Sequence, residues 1–170
     1  MRAEISIRLA RPEDLPAIAD IYNDEVLHTC ATFDTVPVTL EERRQWLDDH
    51  PPSRHPVVVA EIRGEVAGWA SLSGWATKCA YARAAEVSVY VHREWRGLGA
   101  GKALFLDLID RAREVGLGVL LARICTADGE ASLRLHERVG FQRVGTLRRV
   151  GEKFGRILDV ELLDLHLDHR

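Results

Sequence analysis

Two hydrophobic rhythms alternate along this chain, one with a period of two and one with a period of about 3.6 residues, and their order sketches a fold. Ile5, Ile7 and Leu9 occupy alternate positions and predict a first strand. Pro12, followed by Glu13 and Asp14, opens a helix, because proline has no N–H to lose there and acids suit the positive helix end. Leu15, Ile18, Ile21, Tyr22 and Val26 give that helix a buried stripe. The run from His28 to Pro37 fits neither rhythm and reads as a surface loop. Thr39 with Glu42 is a capping-box pattern, ahead of a short helix carrying Trp46 and Leu47. Val57 to Ile62 and Glu65 to Leu72 are strand-like and meet at Arg63 and Gly64, which predicts a hairpin. Ser73 to Arg83 is a second irregular loop.

The central stretch is EVSVYVHREWRGLGAGK, from Glu86 to Lys102. Val87, Val89 and Val91 alternate with Glu86, Ser88 and Tyr90, so it begins as a strand. It turns polar at His92, Arg93 and Glu94, passes through Gly97, Gly99 and Gly101, and ends in an amphipathic helix carrying Leu104, Phe105, Leu108, Ile109 and Ala112. Strand, glycine-rich turn and helix N-terminus make an anion cradle of unpaired N–H groups and positive dipole. Val119 to Ile124 then reads as a continuous apolar strand, and Ala131 to Val139 as a helix ended by Gly140. Two more strands follow, around Phe141 to Val150 and Asp159 to Leu167. The order predicts a single α/β domain, 1–170, built around one sheet.

Composition narrows the function classes without choosing among them. A net charge of −3 gives no basic footprint and argues against nucleic-acid binding. No apolar run approaches the ~20 residues that a membrane span needs. Cys30, Cys79 and Cys125 lie far apart, with no metal-ligand spacing. An odd cysteine count without a signal peptide suggests a reducing cytoplasm, with all three unpaired.

The glycine spacing discriminates among phosphate sites. A dinucleotide fingerprint needs G-x-G-x-x-G, whereas the glycines here fall as G-x-G-x-G, with no acid closing a strand ~20 positions later. A P-loop needs a glycine and a Ser or Thr where Arg96 and Ala103 stand. What remains is R-x-x-G-x-G, formed by Arg96, Gly99 and Gly101.

That pattern resembles the coenzyme A pyrophosphate loop of the GNAT superfamily of N-acetyltransferases. YNDEVLHTCATFDTVPVTLEER, PVVVAEIRGEVAGWASLSGW, EVSVYV, LHERVGF and VGEKFGRILDVELL further resemble its phosphinothricin and methionine sulfoximine acetyltransferase branch. The resemblance covers nearly the whole chain. It implies a mixed central sheet flanked by helices, with central strands that splay apart around acetyl-CoA as co-substrate. The first of those strands would be Glu86 to Val91. It also implies a small-molecule amine acceptor and a homodimer, and no metal.

Roles follow residue by residue. The backbone of Val89, Tyr90 and Val91 would pair with the pantetheine amides. N–H groups from Gly97 through Leu98, Gly99, Ala100, Gly101 and Lys102 would hold the pyrophosphate. Glu86 is the candidate general base; its ordinary pKa of ~4.3 lies far below that of an ammonium, so relay through water or a raised pKa is expected. His136 stands in LHERVGF, where many members carry a tyrosine thought to protonate the departing thiolate, and a histidine could donate that proton. Ser132 precedes it by one helical turn, but no G-x-S-x-G elbow surrounds it, so it is kept as a cofactor contact rather than a nucleophile. Three residues before Ser132 the pattern usually has an asparagine touching the cofactor arm; here Gly129 stands, in TADGEAS. By resemblance, Phe33, Trp75, Thr77, Ala85 and Val87 lie near the amine, with Lys153 on the late loop. The expected activity is direct acetyl transfer to the α-amino group of a small amino acid. Acetylation of another amine, and a non-catalytic acyl-CoA-binding module, are the alternatives.

Overall fold

A computed structural model describes residues 4–167. Its centre is a seven-stranded sheet in the order β1-β2-β3-β4-β5-β7-β6. β1 (Ile5–Leu9) is followed by a 3₁₀ turn at Pro12–Asp14, α1 (Leu15–His28) and α2 (Leu40–Asp48). Thr39 and Glu42 form the predicted reciprocal cap of α2. β2 (Val57–Ile62) and β3 (Glu65–Gly74) form the predicted hairpin. Arg63 and Gly64 turn it, both at positive φ (54° and 80°), the geometry that matches the right-handed strand twist. β3 runs two residues further than its hydrophobic pattern indicated, and the loop after it holds one 3₁₀ turn, Cys79–Tyr81.

β4 (Ala84–Val91) lies antiparallel to β3 and parallel to β5 (Val119–Cys125), connected by α3 (Ala100–Glu114). The parallel ladder is short: Ala84, Ala85 and Glu86 pair with Val119, Leu120 and Leu121. Beyond it β4 and β5 separate, and β4 from Val87 to Val91 has no strand partner on its β5 side. This is the expected splay. α4 (Glu130–Arg138) ends at Gly140, whose φ of 111° lets Phe141 N–H donate back to the His136 carbonyl in a Schellman closure.

β6 (Gln142–Lys153) and β7 (Arg156–His166) form one long hairpin closed by Phe154 and Gly155, rather than two strands separated by a loop. Phe154 adopts φ 54°, unusual for an aromatic residue, and so the turn carries none of the usual Asn-Gly or Asp-Gly signal. Leu104, Phe105 and Leu108 of α3 are fully buried against one face of the sheet, each worth about 1.5–3 kcal/mol of transfer free energy. α1 and α2 cover the other face, where Ile18, Tyr22, Val26 and Trp46 pack against Val59 and Trp69 of the sheet.

The cysteines do not behave as the sequence suggested. Cys30, just beyond α1, and Cys125, the last residue of β5, form a disulfide with Cα atoms 6.0 Å apart, beside Leu158. A separation of 95 residues hid the pair, because only the folded sheet brings these two ends together. Cys79 is exposed and free. Thiol titration of denatured protein kept from reductant is expected to give one thiol per chain, and three after reduction; three without reductant would refute the bond. Among the described residues, no helix is long and apolar enough to cross a membrane.

Candidate active site

Gly97 and Gly99 turn the chain from β4 into α3 with φ of 77° and 98°, a region that L side chains enter only at a cost. Gly99 is the N-cap of α3, so the first-turn N–H groups of that helix face the loop. Gly101 lies close under α4: a Cβ there would stand 2.9 Å from Leu135 Cδ2, and that side chain would have to turn aside. Arg96 borders the cavity, with its guanidinium tied to protein groups. Its Nε donates to the Val91 carbonyl at 3.1 Å and its Nη2 pairs with buried Glu25 on α1, so it pins the loop to the strand end. Leu98 turns its side chain to solvent.

From this loop a cavity of about 1110 Å³ runs along the open edge of β4 to Glu86, with α4 on one side and the Thr29–Asp34 segment on the other. Its size suits a long ligand, and an unpaired strand edge offers hydrogen bonds to a chain bearing amides. At its inner end Glu86 accepts from both Nε (2.9 Å) and Nη2 of Arg123 on β5. Trp75 faces that guanidinium from 5.3 Å. The acid therefore sits where the parallel ladder stops and the gap begins, anchored but still partly exposed.

Residues 15–141 match the model of the Acetyltransferase (GNAT) family. The chain belongs to the GNAT acetyltransferase family. It is 43% identical over 164 residues to the L-methionine sulfoximine/L-methionine sulfone acetyltransferase of Pseudomonas aeruginosa, covering 96% of this chain and 95% of that one. It is 44% identical over 161 residues to the phosphinothricin N-acetyltransferase of Streptomyces coelicolor, covering 93% and 94%. The acetyltransferase yncA of Salmonella typhimurium, solved with its cofactor acetyl-CoA, superposes with a TM-score of 0.93 at 38% identity, covering 98% and 95%. The protein is thus an acyltransferase of GNAT type with acetyl-CoA as co-substrate, and the non-catalytic module is set aside.

Within this GNAT site, His136 is not placed as an acid. It is buried, its Nδ1–H donates to the Ser132 carbonyl at 2.7 Å, and its ring packs edge-on against Phe105 and Phe141. Burial pushes its pKa below the ordinary imidazole value, so the ring is neutral at pH 7. The sign follows from linkage: below about pH 6.5 the unfolded chain takes up a proton that folded His136 refuses, so its stabilising contribution is full above that value and falls as the pH drops. His136→Gln is expected to flatten the loss of Tm between about pH 7.5 and pH 5.5. An unchanged slope would assign the whole effect to His50 and His55, which burial depresses likewise. Ser132 Oγ lies 3.4 Å from the same Nδ1, and both residues border the cavity.

Gly129, which stands where the resemblance led to the expectation of an asparagine, is the N-cap of α4, and a side chain there meets a steric obstacle. A Cβ there would stand 2.1 Å from the Cys125 carbonyl oxygen and 2.6 Å from Ile124 Cγ2. Helix α4 approaches the end of β5 too closely for any side chain.

The predicted acceptor residues separate into two groups. Phe33, Glu86 and Val87 border the large cavity, and the Phe33 ring covers Gly151, where a Cβ would lie 2.2 Å away. Ala85 lines neither cavity; its methyl is buried beneath α3 on the same face of β4 as Val87, which sits further along the strand where the gap has opened. Lys153 is buried and donates from Nζ to the Thr32 carbonyl at 2.8 Å, so it fastens the loop and does not face the cavity. Trp75 reaches the site only through Arg123, and Thr77 is exposed outside both cavities.

The sequence reading missed a second, smaller cavity of about 310 Å³ on the α1/α2 side of the sheet. Arg43 of α2 borders it with Trp69, Ser71, Ser73, Ser88 and Tyr90, and it abuts the large cavity at Ser73, Ser88 and Tyr90. The signal was present as serines recurring every second position in otherwise apolar strands.

Proposed function

We propose that this GNAT enzyme transfers acetyl from acetyl-CoA directly to the α-amino group of a small amino acid of the methionine sulfoximine or phosphinothricin type. One observation carries the reading: Glu86 stands at the mouth of the strand gap, where the long cavity and the smaller one meet. The names of the relatives supply the substrate class. Acetyl-CoA would lie along β4, held by the backbone of Val89, Tyr90 and Val91 and by the N–H groups of 97–102, and would supply the activated acetyl group. Glu86 would take the ammonium proton, through water, so that a neutral amine attacks. Direct transfer fits the cysteine and Ser132–His136 arrangements of the cavity. Cys30 and Cys125 are bonded to each other, and the Nδ1 proton of His136 is committed to a carbonyl, so it cannot deprotonate Ser132. With His136 neutral and buried, the departing thiolate takes its proton from solvent in the open cavity.

Release of free CoA thiol on mixing acetyl-CoA with an amine panel tests this. Turnover with methionine sulfone or phosphinothricin is expected; turnover confined to a polyamine or a peptide N-terminus would replace the reading. The exposed apolar side chains Val144, Leu147, Val150 and Ile157 on β6 and β7 support a homodimer formed beside the site, which light scattering would show as a doubled mass.

A further inference from the structure

The smaller cavity contains two buried donors without an acceptor. Arg43 Nε and Trp69 Nε1 are both solvent-inaccessible, and neither has a hydrogen-bond partner among the described residues. Arg43 and Trp69 are 5% and 2% exposed. The Arg43 guanidinium lies 4.1 Å from the Tyr22 ring centroid, 4.7 Å from that of Trp46 and 5.4 Å from that of Trp69. Rings hold its plane but cannot neutralise its charge or accept in-plane from its N–H groups. Of the two carboxylates that border the cavity, Glu42 accepts from Thr39 N–H, while Asp34 accepts from the Tyr22 hydroxyl and reaches Arg43 through its field without an ion pair. No ion pair involving Arg43 occurs among the described residues. A buried cation with an orphaned donor beside it is costly, and an oxyanion is the group that would satisfy both.

The cavity also lies in line with Glu86. On this face of the sheet Ser73 stands opposite Glu86, Ser71 opposite Ser88, and Trp69 opposite Tyr90. Each row is about 7 Å along the strand from the one before. The cavity therefore starts beside the carboxylate that meets the amine and runs toward Arg43, with serine hydroxyls along the way.

We infer that this cavity is the side-chain subsite of the acceptor, and that Arg43 with Trp69 Nε1 selects an amino acid whose side chain ends in an oxyanion, a phosphinate or carboxylate. This rests on the α-amine reading above. It predicts discrimination between two acceptors of similar size: phosphinothricin, with an anionic phosphinate, and methionine sulfone, whose distal group is neutral.

The experiment compares kcat and KM for both acceptors in the wild type and in Arg43→Met. The variant is expected to raise KM for phosphinothricin by about 10–100-fold, the loss of a charge-assisted contact, while kcat/KM for methionine sulfone stays within about threefold. Equal loss for both acceptors, or no loss for either, would overturn the subsite. If Arg43→Met does not fold by its thermal melt, Ser71→Ala replaces it, with a smaller selective rise in KM for phosphinothricin expected and an unselective change counting against the idea. If the wild type acetylates neither amino acid, the α-amine reading fails by itself. Calorimetric titration of phosphinothricin into the CoA-loaded wild type and variant then decides the cavity. Binding lost in the variant upholds it, whereas equal binding, or none to the wild type, refutes it.

Discussion

Glu86→Gln is expected to lower kcat/KM by about 10²–10³-fold near pH 7, with the deficit shrinking as the pH rises toward the pKa of the amine. Near neutrality nearly all of the acceptor is an ammonium ion, and only a base at the reacting end of the cavity can free the lone pair. At alkaline pH solvent supplies the free amine, and the side chain at 86 ceases to matter for proton removal. The substitution is nearly isosteric and leaves a carbonyl oxygen for Arg123, so the end of the ladder keeps a hydrogen bond. The pH–rate profile is the measurement. A fold-loss that stays constant across pH would make Glu86 a positioning residue for Arg123 and the strand gap instead of a base.

Gly129→Asn introduces the residue that the resemblance implied, and it is expected to damage this protein. The new Cβ would fall on the Cys125 carbonyl and on Ile124 Cγ2, so either α4 or the end of β5 must move. Overpacking against backbone, which cannot rotate away, warrants about 3 kcal/mol. For a chain of this size that lowers Tm by roughly 6–12 °C. The same shift would disturb Ser132 and the α4–α3 contact at Gly101, so KM for acetyl-CoA is expected to rise as well. A variant with wild-type Tm and a lower KM would mean that the helix end accommodates the amide and that Gly129 is a simple loss of a contact.

What could be read from the sequence was whatever depends on near neighbours. Period-two and helical patterning placed β1, β4 and α3, and two apolar runs, buried on both faces, that meet at Arg63 and Gly64 placed the β2–β3 hairpin. The cradle was legible for the same reason: Gly97, Gly99 and the N-terminus of α3 are consecutive. Features made by distant pairs were not. The Cys30–Cys125 bond, the Arg123–Glu86 fork and the Arg43 box join residues from different elements, and nothing local to any of them announces its partner. Arg96 illustrates the converse. Its place in the motif was clear, but the side chain is taken by Glu25, 71 residues away, and so its work here is to hold the loop. Lys153 and Ala85 show the same limit: a polar residue on a late strand, or a neighbour of an acid, gives no sign in the sequence of its depth, and both are buried in the fold.

The three-residue ladder between β4 and β5 has a consequence for the molecule as a whole. Four strands stand on one side of it and three on the other, so the sheet is two panels sharing a short seam. Elsewhere a strand edge is secured by its neighbour along its length; here, past Glu86, the panels are joined by side chains and by the Cys30–Cys125 link at the far end of β5. A ligand lying in that wedge is then also a splice, supplying to the edge of β4 the hydrogen bonds that a neighbouring strand would have made. Each turnover that ends in release of CoA would return the sheet to its divided state, so the enzyme would be most open to unfolding between catalytic cycles and best braced during them.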